Sequence, residues 1–283
     1  MKKIYCIGSS FTMGGGFEFH SNRGEMIKKA YSNFDEYPKT QYNYSYSGQL
    51  NKILGKDYTV FNFGKSGFGN EYITRTAFQI INDSEFNKHT DCLILEFTEI
   101  GRKEYLYKEI DDYIISNYSF KRENDDRYYH FPEGNESEYS IDTHGIAKDY
   151  YVDSKEIQSK LDNFYDTVSV FNKNTLSYQS EVEYNYRIIN TLLSYLEFNN
   201  IKYIILSKMQ LKPKKYQYKN DFYESKVVKW NDTEEFHTYM VNNKLTINDE
   251  TNGEYNDGHY GIKAAKITAK KLKEYLNSIF III

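Results

Sequence analysis

The chain has 283 residues, a formal net charge of -4 at pH 7 and 27% charged residues. This mildly acidic balance disfavours a nucleic-acid-binding protein, which usually carries an excess of lysine and arginine, so we expect no nucleic-acid partner. The 30 tyrosines and 18 phenylalanines give an unusually aromatic chain. This content is expected from an A/T-rich genome, in which lysine, asparagine, isoleucine and tyrosine are heavily used, or from an aromatic surface suited to the apolar C–H faces of sugar rings, and composition does not separate the two.

The two cysteines, Cys6 and Cys92, both lie in predicted buried strands. We interpret them as small core residues in a reducing compartment rather than as a disulfide or a catalytic thiol. The apolar run before Gly8 is too short for a signal peptide, and residues 279–283 are too few to span a bilayer. We therefore expect a cytoplasmic protein with no membrane span. The sequence does not indicate its oligomeric state.

Predicted strands and helices alternate along most of the chain. Four short apolar runs are predicted as buried strands, at residues 2–7, 58–63, 92–97 and 201–207. Helical periodicity predicts helices at residues 23–31, 47–54, 71–83, 181–198 and 234–241, and a last helix from about residue 261. This alternation predicts a three-layer α/β/α fold with a mostly parallel sheet of about five strands. Without an internal repeat or a linker, we expect one domain over residues 1–283.

Residues 103–175 interrupt the alternation. The segment is dense in tyrosine, aspartate, asparagine and glutamate, shows no clear period and is too long for a plain loop. We interpret it as an insertion within the single domain, with a helix of its own at residues 154–171. It would act as a lid or a substrate platform. A solvated decoration or an oligomer contact is the alternative, and the sequence does not separate these roles.

The first predicted strand ends in Gly8-Ser9-Ser10-Phe11-Thr12. A strand that ends in glycine and small hydroxyl residues is typical of α/β enzymes that present a nucleophile or bind an anion. An ordinary glycine-serine turn has the same composition, so this segment alone leaves both interpretations open.

A second glycine-rich loop, at residues 64–70, follows the second predicted strand. Backbone N–H groups in such a turn can bind a developing oxyanion, because glycine lets the backbone approach closely. A phosphate-binding loop is the alternative. Neither the phosphate-binding Gly-x-x-x-x-Gly-Lys-Ser/Thr pattern nor the dinucleotide fingerprint occurs, which disfavours a nucleotide site.

Asn256-Asp257-Gly258-His259-Tyr260-Gly261 comes directly before the last predicted helix. An aspartate two residues before a histidine suits a general base and the carboxylate that orients it. A helix N-cap at Asp257 beside a surface histidine is the alternative. None of the other five histidines has a zinc-ligand spacing to cysteine or glutamate, so we predict no metal site.

Together these three segments resemble the sequence blocks of the SGNH (GDSL) hydrolase family. Residues 8–12 resemble its first block, Gly-Asp-Ser-Leu-Thr, and residues 62–67 resemble its Asn-x-Gly-x-x-Gly block. Asp257 and His259, followed by the final helix, resemble its last block. The blocks occur in the family's order, and the resemblance covers roughly residues 1–100 and 200–280. It implies a flavodoxin-like α/β/α fold and leaves the insertion uncovered.

The resemblance also implies roles for particular residues. Ser10 would be the nucleophile, His259 its base and Asp257 the group that orients His259. The backbone N–H groups of Ser10 and Gly67 would donate to the oxyanion. No metal or organic cofactor is implied.

Two positions depart from the family pattern. Ser9 stands where the first block keeps an aspartate that braces the loop, and residues 97–100 lack the third block's oxyanion asparagine. Losing one such donor costs about a hundredfold or more in rate. Asn70 and Arg102 are the nearest candidate replacements. Thr98 and Arg102 also resemble a Thr-x-x-x-Arg segment of some bacterial and phage-borne SGNH-like proteins.

The resemblance implies a serine esterase that removes an O-acyl group, by expectation acetyl, from a carbohydrate or another small ester. A carbohydrate O-acyltransferase with the same triad and a non-catalytic SGNH-like polysaccharide-binding module are the alternatives. The presence of Ser10, Asp257 and His259 favours catalysis. The altered first and third blocks favour the binding module.

Overall fold

A computed structural model describes eleven parts of the chain, at residues 1–15, 42–65, 67–98, 101–108, 112–122, 128–129, 139–146, 155–208, 224–230, 236–250 and 259–281. Within them the protein is mixed α/β, with a four-stranded parallel sheet and a second, antiparallel sheet. The helix predicted at residues 23–31 lies outside the described residues.

The central sheet is built from four parallel strands: β1 (Lys2–Gly8), β2 (Tyr58–Gly64), β3 (Cys92–Phe97) and β8 (Lys202–Lys208). Their order across the sheet is β2-β1-β3-β8. Each is a nearly continuous apolar run, as expected when both faces of a parallel sheet are covered. Their bounds agree with the predicted strands to within one residue. The fifth strand predicted for this central sheet is not among the described residues. One parallel bridge, between Ile205 of β8 and Val227, extends the sheet at its edge.

Helices pack on both faces of this sheet. The helical segments are α1 (Ser10–Met13), α2 (Tyr46–Leu54), α3 (Asn70–Ile81), α4 (Lys155–Thr175), α5 (Tyr178–Phe198), α6 (Phe236–Asn242), α7 (Ile247–Glu250) and α8 (Ile262–Ile281). Side chains of α2, α6 and α8 form the core on one face, and those of α3 and α5 form it on the other. This arrangement is compatible with the predicted three layers. No helix in the described ranges combines the length and the apolar character needed to cross a membrane.

Local sequence signals explain where two of these helices begin. Ser45 precedes α2, and its side chain accepts a hydrogen bond from Gly48 N at 3.1 Å. Ser177 precedes α5 and forms a reciprocal capping box with Ser180. Serine is favoured at these positions because its hydroxyl satisfies an N–H group that the first turn of a helix leaves unpaired.

The antiparallel sheet was not predicted from the sequence. It starts at β4 (Arg102–Tyr107), which pairs with β5 (Asp112–Arg122). Strand β5 also pairs with β6 (Tyr128–Tyr129) and with β7 (Tyr139–Ile146). The predicted insertion therefore contains a sheet of its own, followed by α4 close to the helix expected at residues 154–171. Whether it acts as a lid or a substrate platform stays a prediction.

Two neighbours on α5 test its packing, because Leu192 is 0% exposed and Ser194 lies on the solvent side. We expect Leu192→Ala to lower the free energy of unfolding by about 2–5 kcal/mol, since it leaves a cavity in the core. Ser194→Ala should change it by no more than about 0.5 kcal/mol. Urea denaturation followed by circular dichroism measures both. Equal effects would contradict the burial of this helix face.

Candidate active site

Ser10 lies at the carboxyl edge of the central sheet, where α/β folds place their sites. Strand β1 ends at Gly8, and Ser10 is the first residue of α1. A backbone N–H at this position has no partner inside its own helix. The Ser10 side chain is half-buried, so the hydroxyl stands at the surface of the site rather than in the core.

Two glycines let α1 pack directly on the strand ends. Gly8 of β1 and Gly64 of β2 are direct partners in the sheet. A Cβ on Gly8 would lie 2.6 Å from Glu96 Oε2, and a Cβ on Gly64 would lie 2.6 Å from Met13 Cα. Contacts this short exclude any larger side chain at either position. The glycines of the first two sequence blocks are therefore required by close packing.

A buried carboxylate braces the loop that carries Ser10. Glu96, near the end of β3, is only 6% exposed. Ser9 Oγ donates to Glu96 Oε1 at 2.7 Å, and Thr12 Oγ1 donates to Glu96 Oε2. Thr12 Oγ1 and Tyr46 OH also share a hydrogen bond of 2.9 Å. One carboxylate thus holds the residue before Ser10 and the residue two after it.

Glu96 was not among the residues singled out from the sequence. Ser9 replaces the aspartate of the family's first block, which predicted a loop without its carboxylate. In the fold a carboxylate comes from β3 instead, and the Ser9 hydroxyl donates to it. Glu96 could have been identified from the sequence because it is the single acidic residue inside the otherwise apolar strand Cys92–Phe97.

Burial raises the pKa of Glu96 above its ordinary value of 4.5. Removal from water penalises the charged form, whereas the hydrogen bonds from Thr12 and Ser9 and the positive charge of Arg102 favour it. The first effect is the largest. The folded protein therefore binds a proton at Glu96 more tightly than the unfolded chain does.

Asn62 joins the second glycine-rich loop to the Ser10 helix. Its Nδ2 donates to Thr12 O at 2.7 Å, and its Oδ1 accepts from Gly64 N at 2.8 Å. Gly67, the predicted oxyanion donor, follows in this loop with a φ of 76°. This left-handed conformation favours glycine. Because β1 and β2 are adjacent and parallel, the loops with Ser10 and Gly67 leave the same edge of the sheet.

A short β-bridge holds His259 in place. Thr246 pairs with Tyr260 in an antiparallel bridge, and Ile247 N donates to His259 O at 2.8 Å. Helix α8 begins three residues after His259. The backbone on both sides of the histidine is therefore tied to regular structure.

Aromatic packing connects the histidine segment to the serine helix. Phe11 and Tyr260 are the residues that follow Ser10 and His259, and their rings meet edge to face with centroids 4.9 Å apart. Phe236 packs against both rings, at 5.1 Å and 5.0 Å. Aromatic pairs of this geometry add about 0.5–1.5 kcal/mol beyond the area they bury. This cluster brings together residues from the two ends of the chain.

Ser10 and His259 border the same small space. An ideal Cβ built on Gly15 would lie 3.2 Å from Ser10 Cβ and 3.4 Å from His259 Cδ2. Both side chains are half-buried. Catalytic hydrogen bonds are often long before a substrate binds, so this proximity is compatible with a nucleophile and its base. Asp257 lies outside the described residues, so its orienting role stays a prediction.

Asn70 braces the end of β3. Its Oδ1 accepts from Thr98 N at 2.9 Å, and its Nδ2 donates to Thr98 O at 2.9 Å and to Asn185 Oδ1 at 3.0 Å. Both hydrogens of the amide are therefore engaged. An oxyanion role for Asn70 would require one of these bonds to break. Thr98 takes part in this arrangement through its backbone.

Arg102 packs on the loop that contains Gly67. Its Nη1 donates to Phe68 O at 3.2 Å. A Cβ on Gly69 would lie 2.9 Å from Arg102 O, so the start of β4 is in close contact with this loop. The positive charge of Arg102 also favours the ionised form of Glu96. Arg102 thus contacts the second glycine-rich loop directly and affects the Glu96 carboxyl through its charge.

Thiol and metal chemistry find no support in the described residues. Cys6 and Cys92 are fully buried, and burial raises the pKa of Cys92 to about 12 and that of Cys6 further. Such thiols stay protonated and unreactive. Within the described ranges, no cluster of three histidine, cysteine, aspartate or glutamate side chains is arranged to hold a metal ion.

The raised pKa of Glu96 predicts a pH-dependent stability. For a carboxyl whose pKa is higher in the folded state, the stabilising contribution is complete below the unfolded pKa and is lost as pH rises through the folded pKa. Glutamine cannot ionise, so we expect wild type to lose stability relative to Glu96→Gln as pH rises above the ordinary glutamate pKa of 4.5. Urea denaturation at several pH values measures this difference.

The exposed Glu274 offers a matched control for that experiment. Glu274→Gln should follow the wild-type pH profile closely, because the Glu274 side chain is exposed to water in the folded protein as well. Parallel profiles for wild type and Glu96→Gln would contradict the buried carboxylate brace.

Asn70→Ala tests whether Asn70 is a structural brace. It removes three hydrogen bonds, so we expect the free energy of unfolding to fall by about 2–4 kcal/mol. Asn82→Ala, at the exposed C-terminal end of the same helix, should cost less than about 1 kcal/mol. Urea denaturation compares the two. Unchanged stability in Asn70→Ala would contradict the bracing role and would favour Asn70 as an oxyanion donor.

Comparison with known proteins identifies no relative. No protein-family model matches the chain, and neither does a curated protein or a solved structure. The resemblance to SGNH hydrolases therefore stays a prediction from the three sequence blocks.

Proposed function

We propose that the protein is an SGNH-type serine esterase that removes an O-acyl group, acetyl in the simplest case, from a carbohydrate. The observation that carries this proposal is the convergence of Ser10 and His259 on the space beside Gly15. These two residues come from opposite ends of the chain, and each was selected from the sequence for a complementary role. A nucleophile and its base are the side chains that such chemistry requires at one place.

The proposed reaction has two steps. Ser10 Oγ forms a bond to the ester carbonyl carbon, and His259 accepts the hydroxyl proton and delivers it to the departing alcohol. Water then attacks the acyl-enzyme, and His259 passes the water's proton back to Ser10 as the acid leaves. Asp257 would stabilise the imidazolium. The backbone N–H groups of Ser10 and Gly67 would stabilise the oxyanion.

The proposal extends to the finer fold and to the insertion. It includes the SGNH type of three-layer α/β/α fold. Within that fold, residues 103–175 would form a lid or a substrate platform. Its support is the position of Arg102, where β4 starts. That residue contacts the loop of Gly67, so the insertion leaves the central fold next to the proposed oxyanion site.

A non-catalytic carbohydrate-binding module is the second candidate. One observation favours it: both amide hydrogens of Asn70, the candidate replacement for the family's oxyanion asparagine, are engaged. A carbohydrate O-acyltransferase would use the same triad and differs only in the acceptor, which is a sugar hydroxyl in place of water.

A fluorophosphonate probe separates catalysis from binding alone. We expect wild type to be labelled covalently, Ser10→Ala to remain unlabelled and His259→Ala to react at least about a hundredfold more slowly, since it lacks the general base. Intact-mass spectrometry measures the labelling, and Ser194→Ala, on the exposed side of α5, serves as control. Equal labelling of wild type and Ser10→Ala would end the esterase proposal.

Product analysis then separates the hydrolase from the transferase. With p-nitrophenyl acetate and an added sugar, an esterase releases acetate at an unchanged rate. A transferase would release less acetate and form acetylated sugar.

A further inference from the structure

A second cleft lies between three elements and shares no lining residue with the proposed triad or oxyanion donors. Its volume is about 270 Å³, and it lies between α3, β4 and α5. Its lining residues are Glu71, Thr74, Arg75, Glu104, Tyr184 and Ile188. The volume far exceeds what one water needs and approaches the lower end of small-molecule sites, about 300 Å³.

Two buried polar atoms of this lining have no hydrogen-bond partner among the residues that the structure describes. The Glu104 side chain is 3% exposed, and its Oε2 accepts from Arg75 Nη2 at 2.8 Å. Its Oε1 is buried with no hydrogen-bond partner in the described part of the chain, and the same holds for Thr74 Oγ1. Leaving a buried carboxylate oxygen unsatisfied is costly. A ligand that donates to Glu104 Oε1 and bonds to Thr74 Oγ1 would remove that cost.

The charges around the cleft favour a neutral ligand. Glu71 and Glu104 would repel an anion. Arg75, which is paired with Glu104, and Lys103, whose Nζ lies 4.9 Å from the Tyr184 ring centre, balance these two negative charges. Hydrogen bonding rather than net charge must therefore supply the affinity.

The protonation of Glu104 also suits a hydroxyl ligand. Burial raises the pKa of Glu104 to about 7, against the opposing effect of Arg75. At neutral pH this carboxyl is present in both forms, one accepting only and one able to donate. A hydroxyl group can pair with either form, because it both donates and accepts. The Tyr184 ring and Ile188 add apolar surface for C–H groups.

We infer that this cleft binds a neutral polyol about the size of one sugar ring, with hydroxyls on Glu104 Oε1 and Thr74 Oγ1. The inference does not depend on catalysis at Ser10. It assigns α3, β4 and α5 a binding role in addition to their structural one.

Ligand-observed NMR on the full chain tests this inference with defined probes. The probes are the methyl glycosides of glucose, galactose, mannose and N-acetylglucosamine, together with myo-inositol, with choline as cation and acetate as anion. We expect at least one polyol to bind wild type and to bind more tightly than either ion. Ser10→Ala should bind it equally well, which separates this test from the esterase proposal.

Two substitutions locate the binding. Thr74→Val removes an unpartnered hydroxyl with little change in shape, so it should fold normally and weaken polyol binding at least about threefold. Ile188→Trp should fill the cleft and abolish binding, whereas Gln79→Ala, exposed on α3, should have no effect. The inference fails if no polyol binds, if an ion binds more tightly, or if Thr74→Val and Ile188→Trp both leave binding unchanged.

Discussion

The candidate active site depends on one buried carboxylate. An ionisable group as enclosed as Glu96 is costly to bury unless hydrogen bonds compensate it. The compensation comes from the hydroxyls of Ser9 and Thr12, which flank Ser10 in sequence. The same hydrogen bonds therefore satisfy the buried carboxylate and hold the loop that carries Ser10. Removing Glu96 would leave the buried Ser9 hydroxyl without this partner, and removing Ser9 would leave Glu96 Oε1 without this donor.

The position of His259 depends on a different kind of force. Its segment is fastened by one β-bridge and by ring packing between Tyr260, Phe11 and Phe236. The ring contacts are apolar and belong to the core on one sheet face, whereas the bridge is made by backbone hydrogen bonds. The proposed nucleophile is therefore positioned by polar bonds to β3, and the proposed base by hydrophobic packing against the helix that starts with that nucleophile. The two meet because both sets of contacts converge on α1.

Helix α3 links the two sites proposed for this protein. Its first residue, Asn70, fixes the end of β3, and its next turn presents Glu71, Thr74 and Arg75 to the second cleft. Strand β4 has the same dual role, because Arg102 contacts the glycine-rich loop and Glu104 lines the cleft. The insertion therefore joins the central fold at β4, next to both the glycine-rich loop of the candidate active site and the second cleft.

Features that depend on local pattern could be predicted from the amino-acid order alone. Apolar runs predicted the four strands of the central sheet to within one residue. Glycines marked the ends of β1 and β2, where a larger side chain does not fit. The sequence also selected Ser10 and His259. The antiparallel sheet was not predicted because β4 to β7 carry mixed polar and aromatic residues without a clear alternation, although β4 and β5 are neighbours in sequence. Only the tertiary structure revealed the role of Glu96, since its partner Ser9 lies 87 residues away and hydrogen bonds between distant residues leave no local pattern.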